Sequence, residues 1–405
     1  MKGLSFRIGV ALLTFIIGIG VAATAWVFQS RPPIIEPLDS MLDPPETAGE
    51  AANKATLEMV FVLDTTGSMG GLIEGAKQRI WGIVNEVMQT SSHPAVRIGL
   101  VAYRDRGDEY VTKVLPLTND LDKVYSTLMD YQAGGGGDTP EDVRRALADG
   151  VRRAGWSQVS PRLAQIIFLV GDAPPHEDYR EEPDTATTTA EAVQRGMIVN
   201  TIQCGDMPGT KQVWEAIARR GRGQYFSIAQ DGGVQAIATP YDEQLGALGR
   251  KLGGTYLAYG GGAGYGGESY RADAKAKAEL TETRVAASAA TPAQAERALN
   301  KAVNSEAYVG DLLQNIENGS VKLDSVKDED LPADLRKLSP DAKKQEIEKR
   351  LAQRRNLRAE IVTLAKQRDE FIAAERRKQT GGKQSGFDAA VAAALKEQLS
   401  SKGIK

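Results

Sequence analysis

Cysteine and histidine are nearly missing from this sequence of 405 residues, which has one cysteine, Cys204, and two histidines, His93 and His176. A lone cysteine excludes an intrachain disulfide framework and any zinc site built on a cysteine cluster. Two histidines argue against a histidine-built zinc site and against a histidine-rich catalytic apparatus. Surplus charge of either sign is lacking too. Lys and Arg number 50 against 53 Asp and Glu, a formal net charge of −3, so no global field holds nucleic acid by its phosphates. With 25% charged and 41% hydrophobic residues, the chain has the composition of a folded protein, long enough for two or three structural units.

One long stretch lacks charge altogether. After Lys2 and Arg7, residues Ile8 to Phe28 carry none. As a helix this run would be about 31 Å long, enough to cross a bilayer. Two readings stand, a cleaved signal peptide with Ala23-Thr24-Ala25 at the cleavage site, or an uncleaved signal anchor. The length of the run and Trp26 and Phe28 at its end favour the anchor. Basic residues before the span and Glu36, Asp39, Asp43, Glu46 and Glu50 after it put the body outside the cytoplasm, at the inner membrane or secreted if the signal is cleaved. Residues 29–55 contain Pro32, Pro33, Pro37, Pro44 and Pro45 and read as an extended stalk.

From 56 to 250, short apolar runs alternate with helical patterns. The runs are Met59–Leu63, Ile98–Ala102, Ile166–Val170 and Met197–Ile202. Continuous apolar runs suit strands buried on both faces of a parallel sheet. Val111 to Leu117 reads as a short extra strand and Gly223 to Ile228 as a closing one. Helical stretches fall at Leu72 to Met88, Pro140 to Arg153, Thr187 to Arg195 and Lys211 to Arg219. The alternation predicts an α/β, doubly wound, mostly parallel sheet with right-handed crossovers. Ligands bind such sheets at the carboxyl ends of the strands, where strand order reverses.

Three loops carry oxygen-bearing side chains to that rim. The first strand leads into Asp64-Thr65-Thr66-Gly67-Ser68-Met69, and the third into Gly171-Asp172-Ala173-Pro174-Pro175. Between them lies Gly135-Gly136-Gly137-Asp138-Thr139-Pro140-Glu141, with Thr139 expected as an N-cap and Pro140 as the first helical residue. Asp, Thr, Ser and Gly also serve ordinary turns. Two carboxylates and three hydroxyls nevertheless suit a hard cation such as Mg²⁺. In these residues the sequence resembles the von Willebrand factor A (VWA) domain with its metal-ion-dependent adhesion site, whose pattern is Asp-x-Ser-x-Ser, a distant Thr and a distant Asp. Asp64, Thr66, Ser68, Thr139 and Asp172 match it in order, with Thr66 in place of the first serine. The DTTGSM form also looks like A domains attached to alpha-type kinases, although no kinase domain is evident. The resemblance covers about half the chain. It implies that Mg²⁺, or Mn²⁺ or Ca²⁺, is held by those five residues and takes an acidic side chain from a protein partner.

No general base of tuned pKa is recognisable, so binding is expected rather than catalysis; a metal-assisted hydrolase is the rival. His176 could sit on the metal rim or be a solvated loop residue, and the latter is the expectation. His93 reads as a plain loop residue and Cys204 as a small buried one. Arg106-Gly107-Asp108 matches an adhesion tripeptide but reads as a turn decorating the binding face.

Beyond residue 250 the chain changes character. Residues 251–268 are rich in Gly and Tyr and read as a flexible hinge. Gly262, Gly264 and Gly267 fit G-x-G-x-x-G, but no βαβ unit follows, so a nucleotide site is not expected. Residues 269–405 predict a mainly helical region, with helices at 270–284, 291–318, 340–378 and 386–400. Leu357, Ile361, Leu364 and Phe371 form a candidate coiled-coil seam that Arg354 and Arg368 interrupt. Phe387, Val391, Leu395 and Leu399 form a stripe on the last helix. The layout is similar to bacterial membrane-anchored A-domain proteins. The expected function is a membrane-anchored, extracytoplasmic, non-enzymatic binding protein. The alternative is a scaffold for an envelope or AAA+ ATPase complex that binds, or oligomerises, through its C-terminal helices.

Overall fold

The structure, a computed structural model, describes residues 55–71, 73, 81–82, 84–85, 87–88, 94–229, 237–304, 308, 310–380 and 386–404. The expected anchor, the stalk up to residue 54, His93 and much of the expected helix after the first strand lie outside them. Among the described residues no helix is long and apolar enough to cross a membrane.

Six strands form one sheet: β1 (Thr56–Asp64), β2 (Ala95–Tyr103), β3 (Thr112–Thr118), β4 (Leu163–Gly171), β5 (Ile198–Cys204) and β6 (Arg222–Ile228). Their spatial order is β3-β2-β1-β4-β5-β6. All neighbours are parallel except β2 and β3. The expected extra strand is therefore an antiparallel edge, half exposed where β1 and β4 are buried along their length. The chain steps outward from β1 to β2 on one side and continues through β4 to β6 on the other. The strand order thus reverses between β1 and β4, which opens a crevice at their carboxyl ends.

The central strands β1, β2, β4 and β5 bury both faces because their side chains alternate between two apolar layers. One face carries Val60, Val62, Val101, Ile167, Leu169 and Val199. It packs on α2 (Val143–Arg152), α3 (Thr185–Gln194) and α4 (Thr210–Arg220) through Leu147, Ala192, Trp214 and Ile217. The other face carries Leu57, Met59, Phe61, Leu100, Phe168, Ile202 and Phe226. It is covered by α1 (Leu121–Asp130) and, near β6, by α11 (Gly386–Ser401), which contributes Ala394, Leu395 and Leu399. Leu395 and Leu399 of the expected stripe are thus part of the core that begins at β1, while the side chains of Phe387 and Val391 lie outside the described residues. Asn200 of β5 and Gln398 of α11, both buried, exchange two amide hydrogen bonds at 2.8 and 3.2 Å.

Sequence reasoning passed over α1, although Asp120 caps it by accepting the Lys123 N–H at 2.9 Å. It also passed over α5 (Asp242–Gly253), where three glycines interrupt the pattern. One of them has a packing reason: a Cβ on Gly249 would lie 2.8 Å from the Ala298 Cβ of α7 (Thr291–Val303), so its absence lets the two helices approach.

The remaining helices are α6 (Gly264–Ser288), α8 (Leu312–Glu317), α9 (Ala333–Arg336) and α10 (Pro340–Thr380). The helix expected over 291–318 is two helices. Gly310 has a left-handed φ of 74°, and Asp311 starts α8 by accepting the Leu313 N–H at 3.3 Å while also accepting Leu257 N–H at 2.9 Å. The Gly/Tyr-rich segment is tied down rather than loose. Asp330 accepts the N–H groups of Gly260 and Gly262, and Arg271 donates to the Gly260 carbonyl at 2.6 Å. The seam of α10 is occupied within the chain and forms no long coiled coil. Ile361 and Ala365 pack against Leu245, Leu248 and Leu299, and Phe371 meets Tyr241 edge-on at 6.3 Å. The two arginines expected to interrupt it are buried ion-pair partners. Arg354 pairs with Asp311, both fully buried, and Arg368 bridges Asp242 at 2.7 Å and Glu296 at 2.6 Å.

Candidate metal centre

Asp64 ends β1 and Asp172 follows the last residue of β4, so the two carboxylates flank the crevice where strand order reverses. Both are buried. Asp64 Oδ1 accepts the Thr66 N–H at 2.8 Å and the Thr66 hydroxyl at 2.6 Å. Its Oδ2 is buried with no hydrogen-bond partner among the described residues. Thr66 Oγ1 lies 3.4 Å from the hydroxyl of Ser68, which is exposed at the rim. The threonine thus keeps a hydroxyl where the motif has serine.

Backbone contacts bring the first two loops together. Thr65 donates to the Tyr103 carbonyl, Gly134 to Thr65, and Gly67 to Gly135 at 3.2 Å. Gly136, with φ at 79°, packs so close that a Cβ would lie 3.3 Å from the Thr66 Cβ. Gly171 is equally confined: a Cβ there would overlap the Tyr103 hydroxyl and lie 3.1 Å from Asp64 Oδ2.

Thr139 is exposed in the same loop and is not the N-cap of α2. That role belongs to Asp142, which accepts the Arg145 N–H at 3.0 Å. The reason is a parallel bridge between Glu141 and Pro175, with Glu141 N–H on the Pro174 carbonyl and His176 N–H on the Glu141 carbonyl. The bridge fixes Glu141 in strand-like pairing and delays the helix to Val143.

Electrostatically the crevice is short of positive charge. Burial, with Asp172 adding to it, pushes the Asp64 carboxyl up to about 7. Glu141, which sequence reasoning left out of the site, is pushed up to about 9 by burial and then by Asp64, Asp105 and Asp172. Burial also raises the Tyr103 phenol, followed by Asp64 and Glu141, and the Cys204 thiol, followed by Asp64 and Asp172. Cys204 is buried as expected. An orphaned buried carboxylate oxygen, a second buried carboxylate and two hydroxyls form an oxygen donor set that fits a hard divalent cation. Such an ion would supply the missing charge.

His176 is not the solvated loop residue that was expected. It is 8% exposed, and Nδ1 lies 2.8 Å from Asp178 Oδ1 while Nε2 faces Asp105 and Asp138. The Arg106-Gly107-Asp108 turn is used internally. Arg106 pairs with Asp142 at 3.1 Å and Glu181 at 2.9 Å, and Asp108 accepts the Gly136 N–H at 3.0 Å.

Residues 58–240 match the family model of the von Willebrand factor A domain. A putative ariadne-like RING finger protein of Acanthamoeba polyphaga mimivirus is 29% identical over 164 residues, 40% of this chain and 15% of that protein. The von Willebrand factor A domain-containing protein 7 of Rattus norvegicus is 35% identical over 119 residues, 29% of this chain and 12% of its own length. The chain therefore spans less than a sixth of either relative. Among solved structures, the SpRpn10 VWA domain is 17% identical with a TM-score of 0.32, covering 44% of this chain and 89% of that one.

Proposed function

We propose that the von Willebrand factor A domain formed by residues 58–240 binds a divalent cation, Mg²⁺ by preference, and through it an acidic side chain of a protein partner. The observation that carries this reading is the buried, unpartnered Asp64 Oδ2 beside buried Asp172 at the point where strand order reverses. Asp64, Thr66, Ser68, Thr139 and Asp172 would hold the ion. A bound Mg²⁺ supplies a charge that a partner carboxylate can complete. Thr66 orients Asp64 through two hydrogen bonds to Oδ1, which leaves Oδ2 for the ion. The raised pKa values of Asp64 and Glu141 do not mark a general base, because a cation at the site would lower both. No turnover is proposed. The apolar run over residues 8–28 supports a membrane-tethered, extracytoplasmic placement. Partner capture by the C-terminal helices is the weaker reading, since Ile361, Leu395 and Leu399 are already buried within the chain.

The test is isothermal titration of the full chain, purified in detergent, with Mg²⁺ and Mn²⁺ beside Asp64→Ala. One equivalent, lost in the variant while circular dichroism is unchanged, is the expected result. Equal binding by the two proteins would remove the proposal.

A further inference from the structure

We propose a second cation site on the same rim, formed by Asp105, Asp138 and His176, that takes a divalent transition ion, Zn²⁺ foremost. None of these residues belongs to the Asp64 set, and the inference does not depend on that set binding metal.

The geometry comes first. His176 Nε2 lies 3.5 Å from Asp105 Oδ2 and 3.6 Å from Asp138 Oδ2, and the three donor atoms fall within 4.8 Å of one another. Two ligands at the usual zinc distance in a tetrahedral shell are separated by roughly 3.4 Å. The Asp138 side chain is 60% exposed on a glycine-rich loop, so it can close the remaining gap without disturbing the core.

The state of the histidine points the same way. Nδ1 contacts Asp178 Oδ1 at 2.8 Å. With Nδ1–H donated to that carboxylate, Nε2 presents its lone pair to the two aspartates, the arrangement that orients histidine ligands of metals. Nε2 is buried with no hydrogen-bond partner among the described residues, and so is Asp105 Oδ1. A lone pair aimed at two carboxylates is repulsive unless a proton or a metal ion sits between them. The surroundings are built to hold the ring. It stacks on Tyr179 with centroids 4.0 Å apart, and the Tyr179 hydroxyl donates to Asp105 Oδ2 at 3.0 Å. The nearby Arg106 guanidinium is committed to Asp142 and Glu181, so its charge is offset.

A nitrogen donor beside two carboxylates selects a borderline ion over Mg²⁺ or Ca²⁺, which prefer oxygen. One histidine is enough for such a site when carboxylates complete the set, which is why counting histidines did not reveal it. The site also has a consequence for its neighbour. Asp138 adjoins Thr139, so an ion here would tie the loop that carries Thr139 to residues 176–179.

The experiment uses the full chain, stripped of metal and kept in excess Mg²⁺, titrated with Zn²⁺ against a chromophoric chelator. Asp64→Asn is expected to keep one equivalent of Zn²⁺. By analogy with the 10–100-fold effect of losing a supporting partner, Asp138→Asn should bind at least about 10-fold more weakly and His176→Gln at least about 100-fold. Substituted Co²⁺ should give a visible band in Asp64→Asn that His176→Gln loses. If His176→Gln fails to fold, Asp138→Asn decides alone, since that side chain lies on an exposed loop. Unchanged Zn²⁺ affinity in Asp138→Asn, or no Zn²⁺ binding by the parent chain, would overturn the proposal.

Discussion

Removing the charge of Asp64 should stabilise the metal-free protein at neutral pH, the reverse of what removing a metal ligand does when metal is present. The carboxyl rises from its ordinary 3.8 to about 7 in the fold, chiefly through burial. Between those values the folded state holds a proton that the unfolded chain has released. This contribution to stability is therefore complete below about pH 4 and is lost as pH rises through about 7. At about 1.36 kcal/mol for each factor of ten in acidity, ionising Asp64 costs the apo fold about 4 kcal/mol at pH 8. In EDTA the melting temperature should fall between pH 5 and pH 8, and Asp64→Asn should melt roughly 8–16 °C above the parent at pH 8, at 2–4 °C per kcal/mol for a domain of this size. Adding Mg²⁺ should close the gap: at a hundred times its dissociation constant it restores about 2.7 kcal/mol to the parent, at a thousand times about 4.1 kcal/mol, and nothing to the variant. Differential scanning fluorimetry at three pH values, with EDTA and with Mg²⁺, reads all of this. A parent whose melting point in EDTA does not change with pH, or an Asp64→Asn that melts lower at pH 8 in EDTA, would refute the reasoning.

Three further outcomes are expected. Gly171→Ala should lose about 1–3 kcal/mol through overpacking against the Tyr103 hydroxyl; Tyr103→Phe, which deletes that oxygen, should restore most of it in urea denaturation. Arg354→Met should cost about 3–5 kcal/mol by leaving Asp311 charged and buried without its partner, and adding Asp311→Asn should recover part of the loss. Ending the chain at residue 385 should expose the β6 end of the sheet face, around Phe226, measured as binding of a hydrophobic dye and as faster amide exchange in β5 and β6.

The central strands could be read from sequence because β1, β2, β4 and β5 are continuous apolar runs, a pattern that only burial on both faces explains. The placing of Asp64 and Asp172 followed from the same runs, since each carboxylate comes where an apolar run stops. What escaped was whatever depends on two distant segments meeting. Arg354 and Arg368 looked like breaks in a seam because their partners, Asp311 and Asp242, lie 43 and 126 positions away. Glu141 and Asp138 stood in a loop already marked for Thr139, yet only the bridge to Pro175 turns that loop so that Glu141 faces inward. His176 looked solvated because the aspartates around it come from three different loops. Helix α5 was hidden by glycines whose purpose is close approach to α7, which no local pattern reveals.

The amide pair between Asn200 and Gln398 joins the fifth strand to a segment translated almost two hundred residues later. At 5–20 residues per second, that interval is on the order of ten seconds or more of synthesis. Through it, the sheet lacks part of its cover and Asn200 lacks the side chain that meets it. The domain therefore completes its fold late, only after the last helix has been made. Until then the apolar sheet face is open to other chains, a hazard that only the arrival of the last helix removes.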